Sequence, residues 1–385
     1  MKPNVDIMSG GRDLRFDSLR GLMLLMMTLN HIPSPLRVFT DRWIGLFASA
    51  EGFVFISGLL AGMVYTRRLR KTGPEGLRSA VIHRANMIYA WHACALILAL
   101  LAVQVIEHTV GYCSWAAPQL FFQNPWLGGL LGLTLLYQPG LFDILPMYCV
   151  FVLMLPFVLK ALEAGRGKWV LALSALAWAA VQGSPPIDNA PLYPINVGTF
   201  NLFAWQLLFV IGVVIGHAQA ARPASRMRFN PLAFVAAGGL AFYCWGIQHW
   251  QWRPPCPDYL FGISLNKPSL GLLRLADFGA VAYLVALAAS RAPALFTWRP
   301  LAFLGQHSLA VVAAQSLFVM LVLQFSPLFA TQFRIWIVAA ACVACLFAAA
   351  AVHARFSRKA AGGDPLKSRK PDAPPLSRPH DVRAG

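Results

Sequence analysis

Charged residues are scarce in this sequence. Asp, Glu, Lys and Arg make up 12% of the 385 residues and hydrophobic residues make up 58%, whereas soluble domains are about 25% charged. Collagen, a coiled coil, a disulfide-rich secreted module and a disordered protein are excluded, because none of these classes has so high a fraction of aliphatic and aromatic residues without a sequence repeat. The composition therefore predicts an all-α polytopic membrane protein.

Nucleotide and metal motifs are also lacking. The sequence has no Walker loop and no dinucleotide-binding Gly loop, and no pair of His or Cys residues shows the close spacing of a zinc site. We therefore expect no bound cofactor and no metal. Among the 7 cysteines, Cys113 and Cys256 fall in predicted outer loops, where they could pair in an oxidising compartment.

Acidic residues are outnumbered, with 15 Asp and Glu against 32 Lys and Arg, which gives a net charge of +17. Most basic residues lie between apolar stretches, so the excess is read as topogenic rather than as a nucleic-acid surface. The segments 67–84 and 160–168 are both basic and hence both cytoplasmic, so an even number of crossings separates them. The Gly-rich run 126–137 is too short to cross and is predicted to be re-entrant or interfacial.

This count gives about ten transmembrane helices with both termini in the cytoplasm. The predicted spans are 16–32, 46–66, 86–106, 143–159, 169–182, 199–218, 231–248, 271–290, 300–323 and 334–353. Residues 1–15 form a cytoplasmic N-terminus, 16–355 the membrane domain and 356–385 a polar, basic tail that is predicted to be disordered and cytoplasmic.

Ionisable side chains inside a span are costly, so they usually mark a functional interior. The first span carries Asp17, Arg20, Asn30 and His31. Eleven helical steps separate Arg20 from His31, which amounts to about 16 Å of rise and roughly 20° of rotation. The two side chains therefore face one side of the helix at opposite ends of the span.

Further polar residues point to the same interior. Glu51 lies about five residues into the second span and Asp143 begins the fourth, both toward the outer side, where either carboxylate could orient His31 as a general base. Ser57 follows among small residues. Gln206, Arg274 and His307 are substrate-contact candidates or helix-packing residues, and Arg274 is spaced to pair with Asp277 on one helix face.

Several blocks together resemble the OpgC family of bacterial inner-membrane proteins. Through that family they resemble the wider group of membrane acyltransferases, whose signature is an Arg or Lys separated from a His by ten residues. The blocks are Arg12–Gly21, Asn30–Pro33, Glu51–Gly58, Asp143–Tyr148, Trp205–Phe209 and Leu304–Leu309.

The resemblance implies transfer of an acyl group, typically succinyl, from a cytoplasmic acyl-CoA co-substrate to hydroxyls of a periplasmic glucan, with possible association with glucan biosynthesis proteins. His31, Glu51 and Asp143 would carry the chemistry, and Arg20, Asp17, Asn30, Ser57, Gln206, Arg274 and His307 would contact substrate. Two alternatives stay open: a transporter or flippase, and a non-catalytic partner of a glucan synthase.

Overall fold

The structure is a computed structural model that describes residues 8–9, 12–32, 34–42, 44–110, 119–183, 195–220, 227–325 and 332–362. Cys113 lies outside the described residues. So do residues 1–7, 10 and 11 of the predicted cytoplasmic N-terminus and residues 363–385 of the predicted tail. The described chain is helical apart from two-residue antiparallel strands, β1 (Met8–Ser9) and β2 (Arg12–Asp13), and an isolated bridge between Tyr137 and Asn196.

Fourteen helices are described, together with a 3-10 turn at Pro293–Phe296. They are α1 (Leu14–His31), α2 (Arg37–Thr40), α3 (Ser49–Val110), α4 (Gln119–Gln123), α5 (Pro125–Leu133), α6 (Ile144–Glu163), α7 (Gly167–Ala180), α8 (Leu202–Ala220), α9 (Pro231–Trp250), α10 (Asp258–Leu265), α11 (Leu272–Arg291), α12 (Arg299–Gln306), α13 (Ser308–Gln324) and α14 (Gln332–Gly362).

Helix α3 consists of two helices joined at a break. Gly73 has φ 70° and ψ −176°, which is not helical, and Pro74 follows it. Glycine adopts this backbone conformation without the steric cost that a side chain would impose. The 62 residues of α3 thus include both spans that the sequence predicts over 46–66 and 86–106.

Six of the described helices are long and apolar enough to cross a membrane, or seven if the bent pair α12 and α13 counts as one. They are α3, α6, α8, α9, α11 and α14. The prediction of a helical membrane protein is confirmed, while the ten-span count stays a prediction. Helix α1 falls short because it carries Arg15, Asp17 and Arg20, and α7 has only 14 residues.

Two boundaries differ from the sequence prediction. The span predicted over 300–323 is broken, because α12 and α13 meet at His307 with a bend of 87°. Helix α14 continues through Gly362, beyond the predicted end of the membrane domain at 355. The short run near 126–137 contains α5, whose 9 residues rise only about 13 Å and cannot cross a bilayer.

The core is centred on the first part of α3 and on α8. Methyl groups at Gly58 or Gly62 would overlap the α8 carbonyl oxygens of Phe209 and Val213, and methyl groups at Gly212 or Gly216 would overlap α3 backbone. Small residues let two membrane helices approach closely enough for extensive van der Waals contact. Helix α6 packs against α3, where the Phe53 and Tyr148 ring centroids lie 5.6 Å apart, and against α8, where Phe151 and Phe209 are in ring contact at 5.3 Å.

We expect Gly58→Ala to destabilise the protein by about 1–3 kcal/mol, because the added methyl group forces the α3 and α8 backbones apart. Thermal unfolding in detergent measures the effect. Gly239→Ala in α9 is the matched control, since a methyl group there has no neighbour within 4 Å. Equal melting temperatures for the two variants would contradict this account of the α3–α8 contact.

Candidate functional site

Helix α1 places Arg20 inside the protein. The Arg20 guanidinium donates a hydrogen bond from Nη2 to Ser308 Oγ, and its carbon lies 5.7 Å from the centroid of the Phe53 ring. A cation over an aromatic face and a hydroxyl acceptor together fix the direction of the guanidinium group. Arg20 therefore points between α1, α3 and the start of α13.

Close packing of α1 on α12 sets up this contact. A methyl group at Gly21 would overlap the Leu301 carbonyl oxygen, and one at Gly305 would overlap the Asp17 carbonyl oxygen. Each helix thus uses a glycine where the other presents its backbone. Since Ser308 is the first residue of α13, just past the bend at His307, this contact brings its hydroxyl to Arg20.

Tyr148 of α6 completes the group around Arg20. Its hydroxyl donates to the Phe53 carbonyl oxygen at 3.0 Å, and its ring packs edge-on against Phe53 with centroids 5.6 Å apart. The same hydroxyl lies beside Ser57 and within electrostatic range of Arg20. We call Arg20, Ser57, Tyr148 and Ser308 the Arg20 cluster.

Two histidines lie next to the Arg20 cluster. His307 and His353 approach with their Nδ1 atoms 2.8 Å apart, and the Trp91 ring lies 5.7 Å from His353. A hydrogen bond between these atoms needs a protonated Nδ1 as donor and an unprotonated Nδ1 as acceptor, so only one of the two rings carries a proton on Nδ1. His307 was a sequence candidate, whereas His353 gave no signal because it stands alone in an Ala-rich helix.

His31 ends α1 with its side chain exposed. The charged groups that act on it electrostatically are Lys267, Arg37 and Asp41. Arg37 and Asp41 form a loose ion pair of 3.9 Å on α2, directly after the first helix. His31 is therefore accessible from outside the helix bundle, in mainly basic surroundings.

Asp143 and His31 share one electrostatic neighbour, Lys267. The Asp143 carboxylate is 5% exposed, accepts the Thr199 backbone N–H at 3.0 Å and interacts electrostatically with Lys267. Gly198 has φ 101°, and a side chain there would overlap Asp143. We call His31, Asp143 and Lys267 the His31 cluster. Lys267 was missed because a lone lysine in a predicted outer loop is ordinarily only a surface charge.

Glu51 makes a different contact from the one that its position in the sequence suggested. Its Oε1 accepts the Arg274 guanidinium through Nη2 and through Nε at 3.1 Å, and its Oε2 accepts the Ala48 N–H at 3.1 Å. Glu51 is 0% exposed and Arg274 is 3% exposed. Both carboxylate oxygens are thus engaged, so Glu51 holds α11 against the start of α3 rather than orienting His31.

Asp277 also has a different partner from the predicted one, because Arg274 pairs with Glu51. Its Oδ2 accepts the backbone N–H groups of Leu46 at 2.7 Å and Phe47 at 3.1 Å. The helical spacing suggested a pair between Arg274 and Asp277. The pairing goes elsewhere because Asp277 satisfies backbone donors in the loop before α3, which would otherwise be buried without partners.

Of the remaining candidates, Gln206 joins two helices, whereas Asp17 and Asn30 each have a buried oxygen without a hydrogen-bond partner. The Gln206 amide is fully used between α7 and α8, where it accepts Ser174 Oγ at 2.6 Å and donates to the Ser174 and Phe203 carbonyls. Asp17 Oδ2 and Asn30 Oδ1 are buried and have no hydrogen-bond partner. Among the described residues, no three His, Cys, Asp or Glu side chains form a metal-ligand group.

We expect Glu51→Gln and Arg274→Gln each to cost about 3–5 kcal/mol of stability, because each leaves one buried charge without its partner. The double variant should recover part of that loss, since no isolated charge remains. Thermal unfolding of the four proteins gives the coupling free energy. The exposed pair Arg253–Asp258, at 2.9 Å, is the control and should show almost no coupling.

Comparison with known proteins places the chain in a family. A family model described as OpgC protein matches residues 12–358, a range that includes every residue of the Arg20 and His31 clusters. No curated protein and no solved structure matches the chain. The family match indicates a transferase-type enzyme with a role in glucan modification. The resemblance to the OpgC family is thus confirmed, and the chain belongs to that family.

Proposed function

We propose that the protein is a membrane O-acyltransferase of the bacterial inner membrane. It moves an acyl group, succinyl in our proposal, from cytoplasmic acyl-CoA to hydroxyls of a periplasmic glucan. The observation that carries the proposal is that one helix contributes a residue to each of the two polar clusters. Arg20 and His31 are both in α1, separated by about 16 Å of helical rise.

The proposed topology has ten crossings with both termini in the cytoplasm. Helix α3 supports two of these crossings, because its 62 residues would extend for about 93 Å, roughly three times the thickness of the hydrocarbon layer. The break at Gly73 lies among the basic residues 67–84, as expected for a cytoplasmic turn. In this topology α1 crosses the membrane within the helix bundle, where α3, α12, α13 and α14 contact it.

The Arg20 cluster suits the donor. With Arg20 toward the cytoplasmic end of α1, the phosphates and pantetheine arm of acyl-CoA would approach from the basic inner face, and the thioester would extend along α1. Arg20 supplies a fixed positive charge that Phe53 and Ser308 orient. The hydroxyls of Ser57 and Tyr148 provide polar contacts in an otherwise apolar core.

The His31 cluster suits the acceptor and the chemical step. The glucan hydroxyl oxygen attacks the thioester carbonyl carbon while the His31 imidazole removes the hydroxyl proton. The side-chain amide of Asn30, which precedes His31 in α1, donates to the oxyanion of the tetrahedral intermediate. The carbon–sulfur bond then breaks, the CoA sulfur takes the proton from the imidazolium, and the glucan carries the new ester. We propose Asp143 as the carboxylate that supports the imidazolium, because Glu51 is bound to Arg274.

Replacement of His31 tests the chemistry. We expect His31→Ala to reduce glucan acylation at least about 100-fold, because no other base replaces the imidazole. The measurement is mass spectrometry of glucans incubated with purified protein and acyl-CoA. His249→Ala at the end of α9 is the matched control. Wild-type acylation by a folded His31→Ala protein would contradict the proposal, as would glycan movement across liposomes without any donor.

Replacement of Arg20 tests the donor site. We expect Arg20→Met to raise the KM for acyl-CoA about 10-fold or more, because it removes a charge-assisted contact to the donor. The KM for glucan should change little. Arg299→Met is the control, since Arg299 is an exposed basic residue on the same predicted face. A larger effect on the glucan KM than on the donor KM would place Arg20 at the acceptor site instead.

A further inference from the structure

The turn 266–271, between α10 and α11, is held by hydrogen bonds from two other helices. Trp205 Nε1 of α8 donates to the Pro268 carbonyl at 3.0 Å, and Trp178 Nε1 of α7 donates to the Leu270 carbonyl at 2.8 Å. Gln182, just after α7, donates to the Ser269 carbonyl at 2.8 Å. Trp205 is 0% exposed. Three side chains from a rigid part of the bundle therefore fix successive carbonyls of one short turn.

The backbone of the same turn is strained. Leu270 has φ 52° and is 0% exposed, although a branched side chain rarely adopts a left-handed conformation. The Asn266 side chain accepts from both the N–H and the hydroxyl of Ser269, at 2.9 and 3.0 Å. Strain of this kind persists only where the surroundings determine the conformation, and it is concentrated at functional sites.

Lys267 is the charged residue that this turn presents. Its Nζ lies 5.8 Å from the centroid of the Phe200 ring. Phe200 directly follows Thr199, whose backbone N–H binds the Asp143 carboxylate. Lys267 also acts electrostatically on both His31 and Asp143. The turn thus presents an ammonium group next to Phe200 and within electrostatic range of the proposed base.

The Lys267 ammonium is available to an anion. None of the ion pairs within 4.0 Å among the described residues involves Lys267. Other basic residues of the same predicted face already have carboxylate partners, since Arg37 and Arg42 pair with Asp41, and Arg253 pairs with Asp258. The side chain of Lys267 is exposed, so a substrate group can reach it.

We propose that Lys267 binds the free carboxylate of a dicarboxylic acyl group while the thioester carbonyl lies at His31, and thereby selects dicarboxylic over neutral acyl donors. The inference rests on the proposed acyltransferase function. An ammonium group near the reacting carbonyl forms a charge-assisted hydrogen bond with a carboxylate a few carbons away. A neutral acyl chain of equal length gains no such bond and still displaces water from the ammonium.

Succinyl-CoA and butyryl-CoA are the test donors, because both acyl groups have four carbons and they differ in a terminal carboxylate against a methyl group. We expect Lys267→Met in the purified full chain to raise the KM for succinyl-CoA roughly 10- to 100-fold, the size of one lost hydrogen bond between charged groups. The preference for succinyl-CoA over butyryl-CoA should shrink by the same factor. Lys267→Arg should restore most of it, and the control Arg253→Met should behave as wild type.

Three results would overturn the inference. Lys267→Met could lower kcat equally for both donors, which would place the ammonium at the oxyanion or at His31. It could also leave both donors unchanged. Finally, calorimetric titration could show that the wild-type chain binds both donors equally. Titration needs no turnover, so a chain that prefers succinyl-CoA but acylates no glucan would refute the proposed function and leave the role of Lys267 supported.

Discussion

The close contact between α1 and α12 is the constraint on which the candidate site depends. Gly21 and Gly305 each meet the other helix's backbone, so the two helices touch without intervening side chains. The chain then turns by 87° at His307, and the first residue after the turn binds Arg20. A side chain at either glycine would separate the helices and move Ser308 away from Arg20. The bend that breaks a membrane span is thus also the feature that completes the Arg20 cluster.

The same packing explains how α1 can be polar inside a membrane protein. Its three charged residues make it too polar to count as an apolar span by composition. Helices α3, α12, α13 and α14 contact it, however, so protein rather than lipid surrounds it. The buried pair of Glu51 and Arg274 joins the start of α3 to α11. Desolvation offsets most of the attraction in such a pair, so we assign it positional value more than net stability.

Local patterns predicted much of this fold and less of the site. Apolar runs predicted the six long helices, and the short run was correctly excluded as a crossing, because both depend only on length and composition. Partner choice was not predictable in the same way. Arg274 pairs with a residue 223 positions away, whereas helical spacing pointed to Asp277. Lys267 carried no signal either, because its role comes from Trp178 and Trp205, which hold a turn far along the sequence.

Helix α1 contributes one residue to each cluster, Arg20 and His31, and this has a mechanistic consequence. Because α1 is continuous from Leu14 to His31, helical geometry fixes the separation between Arg20, the proposed donor contact, and His31, the proposed base. A thioester at the end of a flexible pantetheine arm can bridge such a distance, whereas a glucan is too large and polar to enter the bundle. Under the proposed function, only the donor arm would have to penetrate the protein. The His31 cluster can stay open to the outside, and the exposure of His31 and Lys267 agrees with that requirement.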